Sequence, residues 1–109
     1  MKDDMGQDGI MRIDLAGSDL SGVAFECVNF ENANLQFANC ENANFKGSNL
    51  QGANLMGANL NGANLRGTCL CKASLKNVDL TGADLTGADL YGANLEGANL
   101  IGAILSLEG

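Results

Sequence analysis

Apolar and polar positions in this chain recur every five residues. Residues 52–67, GANLMGANLNGANLRG, run through a small residue, a polar residue, a Leu, a free position and a Gly three times in succession. A helix wants apolar residues three and four apart and a strand wants them two apart, so neither element alone explains the spacing. With Leu as the centre of each unit, the register holds from Leu15 to Leu105 without an insertion. Its nineteen centres are all Leu except Phe25, Phe30, Cys40 and Phe45. Two residues before the centre the side chain is usually Ala, as at Ala33, Ala53 and Ala58, with Val23, Val28, Ser48, Thr68 and Val78 among the exceptions. The residue between is mostly Asn or Asp, and Gly stands two after the centre in twelve units.

In an extended segment, residues two apart point to the same side. The small residue and the Leu therefore face inward together, while the Asn or Asp between them faces water. Gly at the end of the unit tolerates the positive φ of a tight turn. Each unit reads as one very short strand and one corner, too small to bury its own apolar edge. Stacked turns of a coil bury it and pair the backbone groups of successive turns. The small residue must be small because a coil with such short sides has a narrow interior. This predicts an all-β solenoid, although spacing alone leaves the number of units per turn open.

Runs of Ala-(Asp/Asn)-Leu-x-x such as ANLQF, ANFKG, ANLNG and ADLTG resemble the pentapeptide-repeat family, and the resemblance covers residues 13 to 107. It implies a right-handed quadrilateral β-helix with four units per coil, hence four to five coils in which residues twenty apart stack. Residues 1–12 are then an N-terminal lid or lead-in, packed through Met5, Ile10 and Met11. Residues 13–107 form the solenoid and residues 108–109 its C-terminal end. Stacking predicts one column of centres through Leu20, Cys40, Leu60, Leu80 and Leu100, and a bulkier N-terminal core at Phe25, Phe30 and Phe45. It further predicts amide ladders at Asn39–Asn59 and Asn44–Asn64, and vertical ion pairs Glu26–Lys46 and Lys76–Glu96.

Composition bears on the chemistry. The 109 residues contain no His and no Pro, and no apolar run approaches the roughly 20 residues that cross a bilayer. A net charge of −7 disfavours direct nucleic-acid or anionic-membrane binding. Without His the usual general base and metal ligand is missing. Asp79, Asp84 and Asp89 diverge around the coil where a site needs convergence. No catalytic, cofactor-binding or metal-binding residues are assigned, no cofactor is expected, and the chain is read as not an enzyme. The start MKDDMGQDGIMR lacks the apolar region of a secretory signal. Four Cys are expected as free thiols, which fits a cytoplasmic, reducing compartment. Cys40 sits in the core, Cys27 lies at a corner, and Cys69 and Cys71 point outward, splayed too far for a relaxed disulfide.

Phe37 occupies a corner where Gly is the rule, in a Gly-free run with Cys27, Asn32 and Asn42. Phe and Cys avoid positive φ, so these early corners are expected to use a different turn geometry. Phe37 is a candidate protein contact. So are Ile104, which breaks the Asn/Asp rule, and Leu107, because both leave an apolar edge on the final coil. The expected function is a scaffold or protein-interaction module presenting flat solenoid faces to an unidentified protein partner, with homodimerisation through the C-terminal coil. The resemblance also implies an alternative, a DNA-mimicking modulator of a type II topoisomerase of the gyrase-protecting kind. Against it, no acidic residue lies between Glu41 and Asp79, where Lys46, Arg66, Lys72 and Lys76 make the waist basic.

Overall fold

Twenty residues separate hydrogen-bonded neighbours along the repeat. A computed structural model describes residues 2–5 and 11–106, with side chains from Arg12 onward. Parallel bridges run from Asp14↔Asn34 to Asp84↔Ile104, each linking a residue to the one twenty further on. Four units therefore close one coil. The four faces are named by their bridging residues: Asn54 lies on the first, Asn59 on the second, Asn64 on the third and Cys69 on the fourth. Strand β1 (Lys2–Met5) pairs antiparallel with β2 (Met11–Asp14), placing Lys2 opposite Asp14. β1 thus adds one strand outside the first face. Of the expected lid residues, Ile10 lies outside the described residues, as do the side chains of Met5 and Met11.

One unit, Asn54 to Ala58, explains the repeat chemically, because every backbone N–H in it has an acceptor. Asn54 N donates to Ala33 O of the preceding coil at 2.9 Å, and Leu55 N and Gly57 N donate to Ser74 O and Lys76 O of the next at 2.8 and 2.9 Å. Ala58 N donates to Leu55 O at 2.9 Å, closing the corner. With φ of +69° at Gly57, that bond defines a type II turn. The remaining donor, Met56 N, is bound by the Asn54 side chain, whose Oδ1 accepts at 3.1 Å. Asn and Asp are the rule before the centre because their side chains accept from the N–H two residues on. An orphaned backbone donor is a net loss in any fold.

This local bond takes the place of most of the expected amide ladders. Asn39, Asn44, Asn59 and Asn64 each spend Oδ1 on their own corner. Between residues stacked twenty apart, the amide bonds that do cross run from Asn39 Nδ2 to Asp19 Oδ1 and from Asn49 Nδ2 to Asn29 Oδ1, both at a long 3.4 Å. Of the two expected ion pairs, Lys76–Glu96 forms at 3.4 Å. Glu26–Lys46 does not, because Glu26 Oε1 accepts instead from Asn44 Nδ2 at 2.8 Å.

The corners depart from the expected geometry. Cys27, Asn32, Phe37 and Asn42 have φ of 56°, 60°, 58° and 58°, in the same left-handed region as the glycines. There is no alternative turn. The following coil, whose Lys46, Gln51, Met56 and Asn61 carbonyls accept from these four corner N–H groups, fixes the corner, and the side chain accepts the strain, on the order of 1–2 kcal/mol for a residue with a Cβ. Where each such side chain goes is systematic. It leans toward the corner twenty residues on, and that corner is always Gly. A Cβ built at Gly57 would lie 2.5 Å from Phe37 Cδ1, and one at Gly52 or Gly62 would overlap Oδ1 of Asn32 or Asn42. Lys72 and Asn77 repeat the pattern beneath Gly92 and Gly97.

The interior matches the register. Leu35, Cys40, Phe45, Leu55, Leu60, Leu75 and Leu80 are fully buried, with the Ala column beside them. Phe25, Phe30 and Phe45 form an aromatic cluster with ring centroids 5.1 to 5.9 Å apart, Phe25 and Phe45 stacked and Phe30 edge-on to both. The buried Ser48 hydroxyl donates to Phe25 O and accepts from Val28 N at 3.0 Å, bridging the corner of the coil before it. The terminal coils are less covered: Leu20, Phe25, Leu95 and Leu100 are only partly buried.

Candidate interaction surfaces

Because the fold consumes the inward side chains and the backbone donors, whatever this molecule recognises must be read by outward and corner positions. Phe37 is 64% exposed, its ring lying across Gly57 at the corner that follows the first face. Ile104 is 49% exposed at the third face of the last described coil, where its N–H still bonds Ala83 O at 2.9 Å. Leu107 lies outside the described residues. The structure does not bring Phe37 and Ile104 together, since they occupy different sides and lie about three coils apart along the axis. It adds exposed apolar residues that the repeat rule leaves unconstrained: Tyr91, Ile101 and Leu105. Tyr91 and Ile101 fill the free position after the centre, so their exposure is readable from the register. Leu105 is a centre, exposed because no described coil covers it.

A further surface goes beyond the sequence reading. Lys46, Arg66 and Thr86 stack above one another at the third corner and, with Gly47, Gly67 and Gly87, line an open groove of about 310 Å³. Taking the free positions of one corner in steps of twenty would have found it. Arg66 is held there by Asp84, Nη1 to Oδ2 at 3.1 Å. Lys46 has no ion pair among the described residues.

The carboxylates behave as corner acceptors. A hydroxyl bond from Ser21, Thr81 or Thr86, joined by the backbone N–H of the same residue, holds Asp19, Asp79 and Asp84 below their ordinary 3.8. Asp89 is lowered chiefly by the Tyr91 N–H. A carboxylate depressed by folding contributes stability that is complete above the unfolded value and is lost as pH falls through the folded one. Denaturant melts are therefore expected to give level stability from about pH 7 to about pH 5 and a decline below about pH 4. Asp84→Asn keeps the acceptor oxygen and should weaken that acid dependence. Asp79, Asp84 and Asp89 lie on three successive faces, and the described residues contain no group of three or more His, Cys, Asp or Glu able to hold a metal ion. Among the described residues, no helix is long and apolar enough to cross a membrane.

The thiols require a correction. All four Cys are free, with Cys40 buried and Cys27 exposed as expected. Cys69 and Cys71, however, are not splayed: their sulfurs lie 3.0 Å apart. Cys69 stands where Asn or Asp normally reaches back to the residue two on, and its Sγ takes the same path. Residue 71 supplies the second sulfur.

Against known families, the one described as pentapeptide repeats (8 copies) matches residues 13–52, 38–77 and 72–106. The chain belongs to the pentapeptide-repeat family. A pentapeptide-repeat protein from the Arabidopsis thaliana thylakoid lumen has a similar structure, with 36% identity and a TM-score of 0.79 over 83% of this chain. Rfr23 from the cyanobacterium Cyanothece 51142 follows at 31% identity and a TM-score of 0.75 over 86%. The chain spans 63% of the Arabidopsis protein's length and 84% of Rfr23's. No curated protein matches it. Like other pentapeptide-repeat proteins, it winds as a right-handed quadrilateral β-helix, here with four to five coils.

Proposed function

We propose that this chain is a non-enzymatic scaffold whose corners and faces bind a protein partner. One observation carries the reading. Phe37 holds a left-handed φ of 58° and remains 64% exposed, at a position where Gly would relieve the strain and nothing in the core would be lost. Strain that the fold does not need points toward use, and an aromatic ring on a rigid corner is a low-entropy anchor for a partner. The test is capture from lysate of the native host with wild type and Phe37→Asn. Asn already occupies the neighbouring corners at residues 32 and 42, so the variant keeps the turn. A partner retained by wild type and lost by the variant is the expected result. Equal retention would sink the role of Phe37.

A second copy of the chain is the partner proposed for the last described coil. Ile104 and Leu105 are about half exposed there, and open strand edges invite pairing. Ile104→Asp supplies the acceptor type that the repeat uses before the centre, so it spares the fold while charging the apolar edge. Sedimentation at hundreds of micromolar should show a wild-type dimer and a monomeric variant; a monomeric wild type would end this proposal. DNA mimicry has less support. Duplex DNA presents uniform negative charge, whereas Lys46 and Lys72 are exposed across a waist that carries no carboxylate.

A further inference from the structure

The corner that holds Cys69 and Cys71 has no part in the contacts proposed above. A Cys-x-Cys run in a regular strand puts its two side chains on one side but well apart. Here the second Cys is the second residue of the type II turn that Leu70 opens and Ala73 closes, and the first Cys takes the side-chain path that Asn and Asp use elsewhere to reach that corner. At Asn49 and Asp89, the stacked neighbours of Cys69, that path ends on the N–H of Gln51 and Tyr91 at 3.0 Å. At Cys69 it ends 3.0 Å from the Cys71 sulfur. A disulfide needs about 2.05 Å, so closure requires a movement of roughly one ångström within a single corner. Both residues are partly open to solvent, which admits a small reagent.

We propose that Cys69 and Cys71 form a redox-active dithiol that closes to an intramolecular disulfide by exchange with a soluble disulfide. The Cys69 thiolate attacks one sulfur of the reagent R–S–S–R, giving a Cys69–S–S–R mixed disulfide and releasing R–S⁻. Cys71 then gives its proton to the released thiolate and attacks the Cys69 sulfur. The Cys69–Cys71 bond forms and the second R–S⁻ leaves, taking up the proton that Cys69 gave to solvent when it ionised. Overall, two thiols are oxidised, one disulfide is reduced, and two equivalents of R–SH are produced. Hydrogen bonding to Cys69, and then to Asp89, pushes the Cys71 thiol up to about 12. Strained or exposed disulfides are the labile, reversible ones, which suits a switch. Cys71 stacks under the exposed Tyr91, so closure alters the surface beside that ring.

The test treats the full chain with oxidised glutathione until the exposed Cys27 carries glutathione, then quenches with acid and alkylates with a maleimide. Trypsin cleavage after Arg66 and Lys72 releases residues 67–72, GTCLCK, with both sulfurs on one peptide. The expected peptide is lighter by two hydrogens and carries neither glutathione nor maleimide. This is a loss of both alkylatable thiols, and reduced dithiothreitol reverses it. Cys69→Ser and Cys71→Ser should each leave the remaining thiol as a stable glutathione adduct. A wild-type peptide bearing two maleimides or two glutathiones, or one linked to a second chain, would overturn the proposal. Cys27 on the same molecule reports that the oxidant was sufficient.

Discussion

Leu60→Ala is expected to lower the free energy of unfolding by about 2–5 kcal/mol, the range for truncating a large core side chain. Leu60 is fully buried in a middle coil, in one column with Cys40 before it and Leu80 after it, and Ala38 and Ala58 beside it. Its neighbours cannot collapse into the gap, because three inter-coil hydrogen bonds per unit hold each corner in place, as in the unit from Asn54 to Ala58. A rigid wall leaves the cavity open, which places the cost toward the upper part of the range. Asn61 is the matched control. Its N–H donates to Asn59 Oδ1 at 2.9 Å, and its partly exposed side chain takes no place in the core but bonds Asp79, so Asn61→Ala should cost no more than about 1 kcal/mol, the scale of one hydrogen bond. Guanidinium melts of the two variants would reject the inside/outside assignment if Asn61→Ala proved the more damaging.

Gly57→Ala should follow at about 2–4 kcal/mol, by a different route. Part of the cost is the left-handed φ of +69°, which any Cβ resents. The rest is the Phe37 ring, with Cδ1 and Cε1 both 2.5 Å from the new methyl. The two parts separate experimentally. Gly67 has φ of +64°, and a methyl added there would meet nothing within 4 Å. Gly67→Ala therefore reports the backbone cost alone, about 1–2 kcal/mol. In a Phe37→Gly background, Gly57→Ala should fall to that same level. If the background makes no difference, the ring is not what excludes the methyl.

The register is legible because a strict period admits one inside and one outside, and this fixes the burial of Cys40, Leu60 and the Ala column. Local rules read without their stacked neighbours fail. The preference of Phe37 and Cys27 for negative φ is real, but it amounts to about one or two kcal/mol, and the hydrogen bonds that tie each corner to the following coil override it. Glu26 and Lys46 are vertical neighbours as the spacing requires, yet Asn44 offers Glu26 a better partner. Cys69 and Cys71 do not follow strand geometry because the back-reaching side chain before each centre is a property of the corner, not of the strand. Of the proposed contact residues, Phe37 and Ile104 are marked in the sequence only by their breaking the pattern, because the repeat leaves its outward positions free.

The lean of each corner side chain over the next coil has a consequence for how such rods can grow. Residues 23–42 make one coil whose four corners, Cys27, Asn32, Phe37 and Asn42, all carry side chains; residues 43–62 make the next, with Gly at all four. Copying the second coil in tandem lengthens the rod freely, since glycine over glycine leaves every corner open. Copying the first in tandem sets Phe over Phe and Asn over Asn, where no Cβ fits. Tandem duplication therefore multiplies bare coils and not decorated ones. Among the described residues a corner with a left-handed side chain always has glycine one coil ahead, so a bare coil is what lets the coil before it carry side chains at its corners.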